Sequence, residues 1–485
     1  MHDVRAECPE RVEKIEKMKA DGIVLYGGKY QVTDTARNLK EQYEEGKTAA
    51  LAGRLTAVRA HGKSVFADLQ DASDRIQIYG NFNVLGEEQF TVFKQLDIGD
   101  IVGVTGSLLT SRTGEITLKV DSFVLLAKNI RSLPEKWHGL KDVETRYRRR
   151  YVDLIVNREA AGVFYKRSRI IKRVRDFLEA QGFMEVETPM MQQIPGGAKA
   201  EPFITHHNAL HVDLYMRVAP ELYLKKLLVG GLEKVYEIGK NFRNEGISVR
   251  HNPEFTMLEL YQAYADLTDM MDLAEEMITT LVSELYGTTT VPYGEMEIDF
   301  GKPWKRIAFY DALQEQTGIN WRDADIKKEA RKIGITVDAA DDAIEVLDTV
   351  FDEKVQPFLT NPTFITDYPV FMTPLAKRKD DDPDLVYRFE LFVAHMELAN
   401  AYSELNDPLE QRARFESQRE QLREADKDID YDFLMALEYG MPPAGGLGIG
   451  IDRLVMVLTN AHSIRDVVLF PQLKPEIRER RESEE

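Results

Sequence analysis

Hydrophobic and polar positions change their spacing three times along the chain. Over residues 3–20 and 34–46 charged, helix-forming residues dominate, and Gly22, Gly27 and Gly28 interrupt them. That predicts a helical extension with little core of its own. From about Thr48 the texture becomes short and β-rich: AALAGRLTAVRA, SVFADLQD, RIQIYG, DIVGVTGSLLT and EITLKVDSFVLLA, separated by HGK, DASD, DIGD and SRTGE. Strands bounded by such turn residues read as a small all-β module. Five of them in close succession predict a closed barrel of the OB type, with a generic β-sandwich as the competitor.

From residue 161 onward helical and strand periods mix. Strands are predicted at 214–218, 234–239, 254–262, 364–368, 386–392, 397–405 and 446–450. Helices are predicted at 161–181, ending at Gly182, and near 220–229, 266–285, 341–354, 407–423 and 452–459. Strands in hairpin-like runs, without strict βαβ alternation, predict an α+β domain on a mostly antiparallel sheet with flanking helices. The expected organisation is an extension over 1–49, an OB-type domain over 50–130, a linker over 131–160 and an α+β domain over 161–485. Within the last, 285–360 reads as an inserted, partly helical subdomain, and the tail EIRERRESEE as frayed.

Composition narrows the classes. The 485 residues carry 63 Lys plus Arg against 82 Asp plus Glu, a formal charge of −19, which excludes a uniformly basic nucleic-acid coat. Hydrophobic residues at 43% can fill a large core, but no apolar run approaches the roughly 20 residues that span a bilayer. The first ten residues lack a secretory core, and Cys8 is the single cysteine, so internal disulfides and thiolate-rich zinc sites are excluded. A cytoplasmic, enzyme-sized protein is the expectation. Against the acidic average, eleven basic residues lie between Arg146 and Arg175, and they read as contact with a polyanion backbone, with a solvated helix face as the competing reading.

Three segments carry chemistry. Gly445 to Arg453 (GGLGIGIDR) lacks both the GxxxxGK[ST] and the GxGxxG spacing, leaving a backbone that needs close approach and an arginine in a helix's first turn. That suits a phosphate or carboxylate, although pairing of the arginine with Asp452 would also explain it. Arg243, Glu245, Arg250 and His251 crowd around a turn at 244–248, and Phe255, Met257, Glu259 and Tyr261 then share one strand face at period two. Asn400, Tyr402 and Glu404 alternate likewise, with Glu390 and Glu397 upstream. Acidic groups on a buried strand face are costly unless something pairs with them, and the two glutamates suit a hard divalent cation. Placing Glu397 on the face of Asn400 requires a bulge. Carboxylates for a cation and arginines for a polyphosphate suggest nucleotide activation of a basic metabolite. Histidines 206, 207 and 211, with neither cysteine partners nor helical spacing, read as structural. Phe66 and Gln77 fall on neighbouring strands of the β-rich module, where an OB barrel stacks and reads single-stranded bases; a core role for Phe66 is equally open.

These residues resemble the class II aminoacyl-tRNA synthetases, in their lysine-specific branch. FMEVETP (183–189), FRNE with VRHNPEF (242–245 and 249–255) and GIGIDR (448–453) are similar to the family's motifs 1, 2 and 3, and APELYLK (219–225) and NAYSELNDP (400–408) to its lysine-specific segments. The resemblance covers about residues 50 to 475. It implies ATP-dependent activation of L-lysine, with Mg2+, and transfer to the 3′ end of tRNA(Lys). Arg243 would hold the α-phosphate and the lysine carboxylate, Glu245 would read the adenine edge, Phe255 would stack on it, and Arg453 would hold the γ-phosphate, with Arg250 and His251 also in the ATP site. Glu390 and Glu397 would bind the metal. Gly197 and Glu221 would take the lysine α-ammonium and Asn400 its carboxylate, Glu404, Tyr261 and Glu259 would receive the ε-ammonium, and Tyr402 would also belong to the lysine site. Arg59, Phe66 and Gln77 match the anticodon-reading positions, and motif 1, with Pro189, implies a homodimer. An aspartate- or asparagine-type ligase, a lysine transferase to protein and a non-catalytic RNA-binding protein are the alternatives. Glu201, at a usually basic position, and Ala394-His395-Met396, in place of a glycine-rich or basic stretch, depart from the family pattern.

Overall fold

Period-two alternation closes the β-rich stretch on itself. In a computed structural model, which describes residues 3–134, 142–198, 200–338, 340–421 and 429–475, the chain forms two compact units, 1–141 and 142–485. Strands β1 (Thr48–His61), β2 (Ser64–Gln70), β3 (Arg75–Asn81), β4 (Ile101–Thr110) and β5 (Ile116–Ala127) make a closed barrel in the order β1-β2-β3-β5-β4. Alternate side chains such as Val65, Ala67, Leu69, Ile76 and Ile78 fill it.

Two features of this unit depart from expectation. The N-terminal extension forms helices α1 (Pro9–Ala20) and α2 (Ala36–Glu41), but Ile15, Met18, Leu25, Ala36 and Leu39 are buried in the same cluster as the barrel's interior. A polar-looking segment thus contributes an apolar stripe that the barrel covers. A helix the sequence reading missed, α3 (Phe82–Lys94), follows β3 and inserts Leu85, Phe90 and Phe93 into that core. Gly86, at φ 74°, breaks its regularity.

The second unit is built on an eight-stranded sheet. Its strands are β6 (Met184–Glu185), β7 (Lys234–Phe242), β8 (Glu254–Ala263), β9 (Lys305–Ala308), β10 (Thr363–Pro369), β11 (Leu385–Val393), β12 (Met396–Ser403) and β13 (Ala444–Gly450). The spatial order is β9-β10-β11-β12-β13-β8-β7-β6, antiparallel except at the two edge pairs, β9 with β10 and β7 with β6. One face is apolar. Leu258, Leu260, Leu391, Ala399, Ala401, Leu447 and Ile449 point into a core completed by helices α4 (Arg158–Ala180), α6 (Leu267–Tyr286) and α8 (Ile451–Thr459). Helix α5 (Glu221–Val229) contacts β7 and β8, and α7 (Ala343–Lys354) packs with residues of β10 and β11 in a separate cluster. The inserted stretch is not purely helical, since it also contributes β9 and a hairpin at 290–299.

The expected linker is described except for 135–141, and the tail at 476–485 lies outside the described residues, as does the end of the helix expected to reach 423. Among the described residues no helix is long and apolar enough to cross a membrane. Several cations of the basic run are paired. Arg146 and Arg150 bind Asp153, Arg148 binds Glu144, Arg167 binds Asp452, Lys172 and Arg173 bind Asp176, and Arg175 binds Glu185. All but one of these carboxylates lie within ten residues of their cations, and the pairs favour the competing reading of a solvated helix face for the cations they hold.

Candidate active site

The other face of the sheet carries the chemistry, and strand register places it. One transverse rung reads Glu390, Asn400, Gly448, Glu259 and Glu237 across β11, β12, β13, β8 and β7. The next reads Arg388, Tyr402, Gly446, Tyr261 and Val235. The expected bulge is present: Leu391 pairs with Ala399 and Phe392 with Glu397, so Leu398 is skipped and Glu397 turns onto the face of Glu390.

β13 is the floor of this face. A methyl group at Gly446 would overlap Oε1 of Glu404 and the Tyr261 ring, and one at Gly448 would touch Met257 and Glu259. Only a strand without side chains lets acidic groups from β8 and β12 approach from both sides. Glu404, 1% exposed, follows β12 and donates its amide to the Ala444 carbonyl. Glu221 on α5 is also buried, and its Oε2 faces Gly197, 3.8 Å from where a Cβ there would stand.

Three buried carboxylates, Glu221, Glu259 and Glu404, thus converge. One cation the sequence reading passed over lies among them: Lys225, fully buried, with Nζ 2.6 Å from Glu221 Oε1 and 2.5 Å from Glu404 Oε2. Lys225 thus engages Glu404 Oε2, while Oε1 of the same carboxylate has no hydrogen-bond partner. Burial pushes the Glu404 carboxyl up to about 8, with Lys225 opposing and Glu221 reinforcing. Burial and then Glu221 push Glu259 up to about 8, although Asn241 donates to it at 3.3 Å. Tyr261 is raised by burial and by Glu221, Glu259 and Glu404. A buried acidic pocket in which Glu259 and Glu404 resist ionisation fits an incoming ammonium group.

The 243–253 loop and the first turn of α8 suit an anion. Among the described residues Arg243 has no carboxylate in salt-bridge range; its guanidinium lies 5.1 Å from the Phe255 ring centroid, and its buried Nε lacks an acceptor. Arg453 turns away from Asp452, whose carboxylate is held by Arg167 and the Thr256 amide. It donates instead to Glu397 and lies 3.2 Å from His251 Nε2. Burial, and then Arg453, pushes His251 below its ordinary value. Arg250 donates to the His395 carbonyl, tying the 243–253 loop to the β11–β12 turn, where Ala394 and His395 both adopt positive φ. Glu245 remains exposed on that loop.

Arg388, also missed, lies 4.4 Å over the Tyr368 ring and donates to Glu390 and to Asn400, whose amide bonds Tyr402 at 3.2 Å. Glu390 accepts from Tyr368 at 2.8 Å and is pushed up to about 7 by burial, with Glu397 adding repulsion against the pull of Arg388. Among the described residues no three His, Cys, Asp or Glu groups cluster as a metal site. Two repelling carboxylates remain a fit for Mg2+, which binds through one or two carboxylates plus substrate phosphates. His206 is exposed and bonds Asp213.

In the barrel unit Phe66 points outward and stacks on Tyr79 at 4.7 Å. It is absent from the core cluster, which favours the base-stacking alternative. Arg59, beside Phe66 on β1, is exposed and held by Asp68 at 3.0 Å, while Gln77 donates to Glu115 and accepts from Thr117. Tyr79 was legible in principle, two residues beyond Gln77 and hence on its face.

Comparison with known proteins agrees. The family described as tRNA synthetases class II (D, K and N) matches residues 142–474, and an OB-fold nucleic acid binding domain matches 49–126. A lysine–tRNA ligase of Carboxydothermus hydrogenoformans is 55% identical over 96% of this chain and 97% of its own. Those of Pelotomaculum thermopropionicum and Moorella thermoacetica are 55% and 53% identical over the same share of this chain, covering 94% and 97% of theirs.

Proposed function

This chain belongs to the class II tRNA synthetases of the aspartate, lysine and asparagine group, and from that premise we propose that it is an aminoacyl-tRNA ligase that activates L-lysine with ATP and transfers it to tRNA(Lys). The observation that carries the choice of lysine is the convergence of Glu221, Glu259 and Glu404 on one buried pocket, where Lys225 pairs with two of the three. An aspartate side chain would add a fourth carboxylate to three, with Lys225 already engaged by two of them.

The lysine α-ammonium sits between Glu221 and Gly197, the ε-ammonium between Glu404, Tyr261 and Glu259 beside Tyr402, and the carboxylate reaches Asn400 and Arg243. ATP lies along the 243–255 loop. Arg243 holds the α-phosphate, Phe255 stacks on the adenine, Glu245 reads its edge, and Arg453, with Arg250 and His251 nearby, holds the γ-phosphate. The lysine carboxylate attacks the α-phosphorus in line; the P–O bond to pyrophosphate breaks and lysyl-adenylate forms. The nucleophile is already ionised, so no general base is needed, and catalysis is positioning plus charge neutralisation. Mg2+, when bound by Glu390 and Glu397, supplies further neutralisation of the phosphates. The terminal tRNA hydroxyl then attacks the adenylate. The protein works in the cytoplasm, and as a homodimer; the second reading is supported by exposed Met184, Met190 and Met191, which flank Pro189 in sequence.

Pyrophosphate exchange with each amino acid in turn tests the assignment: lysine alone should support it, and exchange driven by aspartate or asparagine would overturn it. Phe66→Ala is expected to lower tRNA charging by roughly 10- to 100-fold, the worth of one stacked base, and to leave exchange unchanged. Equal loss of both activities would make Phe66 structural. Lysine affinity should also depend on pH. Glu259 and Glu404, raised to about 8, hold protons at pH 6 that an arriving ammonium must displace. Affinity therefore rises with pH up to about 8, by up to about tenfold per unit for each proton released, then levels. Calorimetric titrations across that window, in buffers of different ionisation enthalpy, would show the released proton; a flat profile would rule it out.

A further inference from the structure

Lys225 lies four residues after Glu221 on α5, so both side chains leave the helix on one face. Its Nζ reaches one oxygen of each of two carboxylates from different elements, Glu221 Oε1 and Glu404 Oε2. The second oxygen of each faces elsewhere. Glu221 Oε2 is turned toward Gly197, while Glu404 Oε1 is turned toward Gly446 and Tyr261 and receives no hydrogen bond. Each carboxylate thus gives one oxygen to the protein's own ammonium and keeps one for the pocket. Charge closes in the same way: three carboxylates meet Lys225 and the two ammonium groups of a bound lysine.

We propose that Lys225 is a specificity-determining positioning residue, a strut that fixes the separation of Glu221 and Glu404 and so sets the distance between the seats for the α- and ε-ammonium groups. The proposal rests on the lysine-activating reading above. A diamino acid fits when its two ammonium groups match that span. Ornithine, one methylene short, cannot reach both seats without moving one carboxylate, and Lys225 holds both. An apolar side chain at 225 would preserve packing and release them.

The test is Lys225→Met in the full chain, assayed by pyrophosphate exchange with lysine and with ornithine. Wild type is expected to prefer lysine by about 10- to 200-fold in kcat/KM, the range for one methylene. In the variant that ratio should shrink about tenfold, through a higher KM for lysine, with the KM for ATP unchanged. The pH at which lysine affinity is half lost should also rise, since Lys225 favours the charged Glu404 against Glu221; Glu259, Tyr261 and Tyr402 remain around the pocket. A folded variant with the wild-type lysine-to-ornithine ratio would overturn the strut. Should Lys225→Met fail to fold, Lys225→Arg keeps the buried charge on a longer, planar head. It should shrink the ratio at least about threefold, and an unchanged ratio would again overturn the proposal. Wild-type exchange that depends on another amino acid would instead overturn the lysine reading itself.

Discussion

Glu404→Gln is expected to lower kcat/KM for lysine in pyrophosphate exchange by roughly 10²–10⁴, while ATP binding survives. The carboxylate is buried beside the glycine floor, and its Oε1 receives no hydrogen bond. An ammonium arriving there supplies the missing donor and a charge. Glutamine keeps the volume but removes the charge, leaving the ε-ammonium desolvated without its partner, a loss of about 3–5 kcal/mol. Lys225 would still pair with Glu221 at 2.6 Å, so the fold should hold. Exchange kinetics with ATP affinity measured separately decide the matter. Unchanged kinetics would remove Glu404 from lysine recognition.

Arg243→Ala should reduce single-turnover adenylate formation by about 10²–10³ or more, mostly in kcat. The guanidinium rests over Phe255, and its buried Nε lacks an acceptor. The α-phosphate is already anionic in bound ATP, but further charge gathers on its oxygens and on the departing pyrophosphate as the α-phosphorus is attacked, so this cation is worth more in the transition state than with ATP merely bound. The thermal midpoint should move little, since no carboxylate in salt-bridge range is left without a partner. Turnover near the wild-type level would show that another group carries the α-phosphate.

What could be read in advance follows from how local the cause is. The acidic and aromatic faces of β8 and β12 were legible because a strand's side chains alternate, so Glu259 with Tyr261, and Asn400 with Tyr402, declare a shared face by parity alone. The bulge at Leu398 was legible only as a requirement, from the odd spacing between Glu397 and Asn400. Lys225 was not legible. Within ELYLKKLL a lysine looks like a solvated face, and only the end of β12, nearly 180 residues later in sequence, reveals that its ammonium is buried. In the basic run most of the pairing carboxylates were legible, since Glu144, Asp153 and Asp176 stand within seven residues of the cations they meet, whereas Asp452 and Glu284 are reached only through the fold. In the barrel, Phe66 and Tyr79 needed only strand pairing to meet, whereas α3 was hidden by Gly86 and by an apolar composition that suits a strand as well as a helix.

The glycines of β13 also limit how this enzyme can adapt to heat. Each leaves the unfolded chain freer, a burden of roughly 0.5–1 kcal/mol relative to alanine. Replacing them is an obvious stabilising step elsewhere in proteins. At Gly446 the added methyl would occupy the space of the Glu404 carboxylate and the Tyr261 ring. Thermal tolerance must therefore be gained at the periphery, in helix ends, loops and the outer strands, while the centre of the sheet stays entropically expensive.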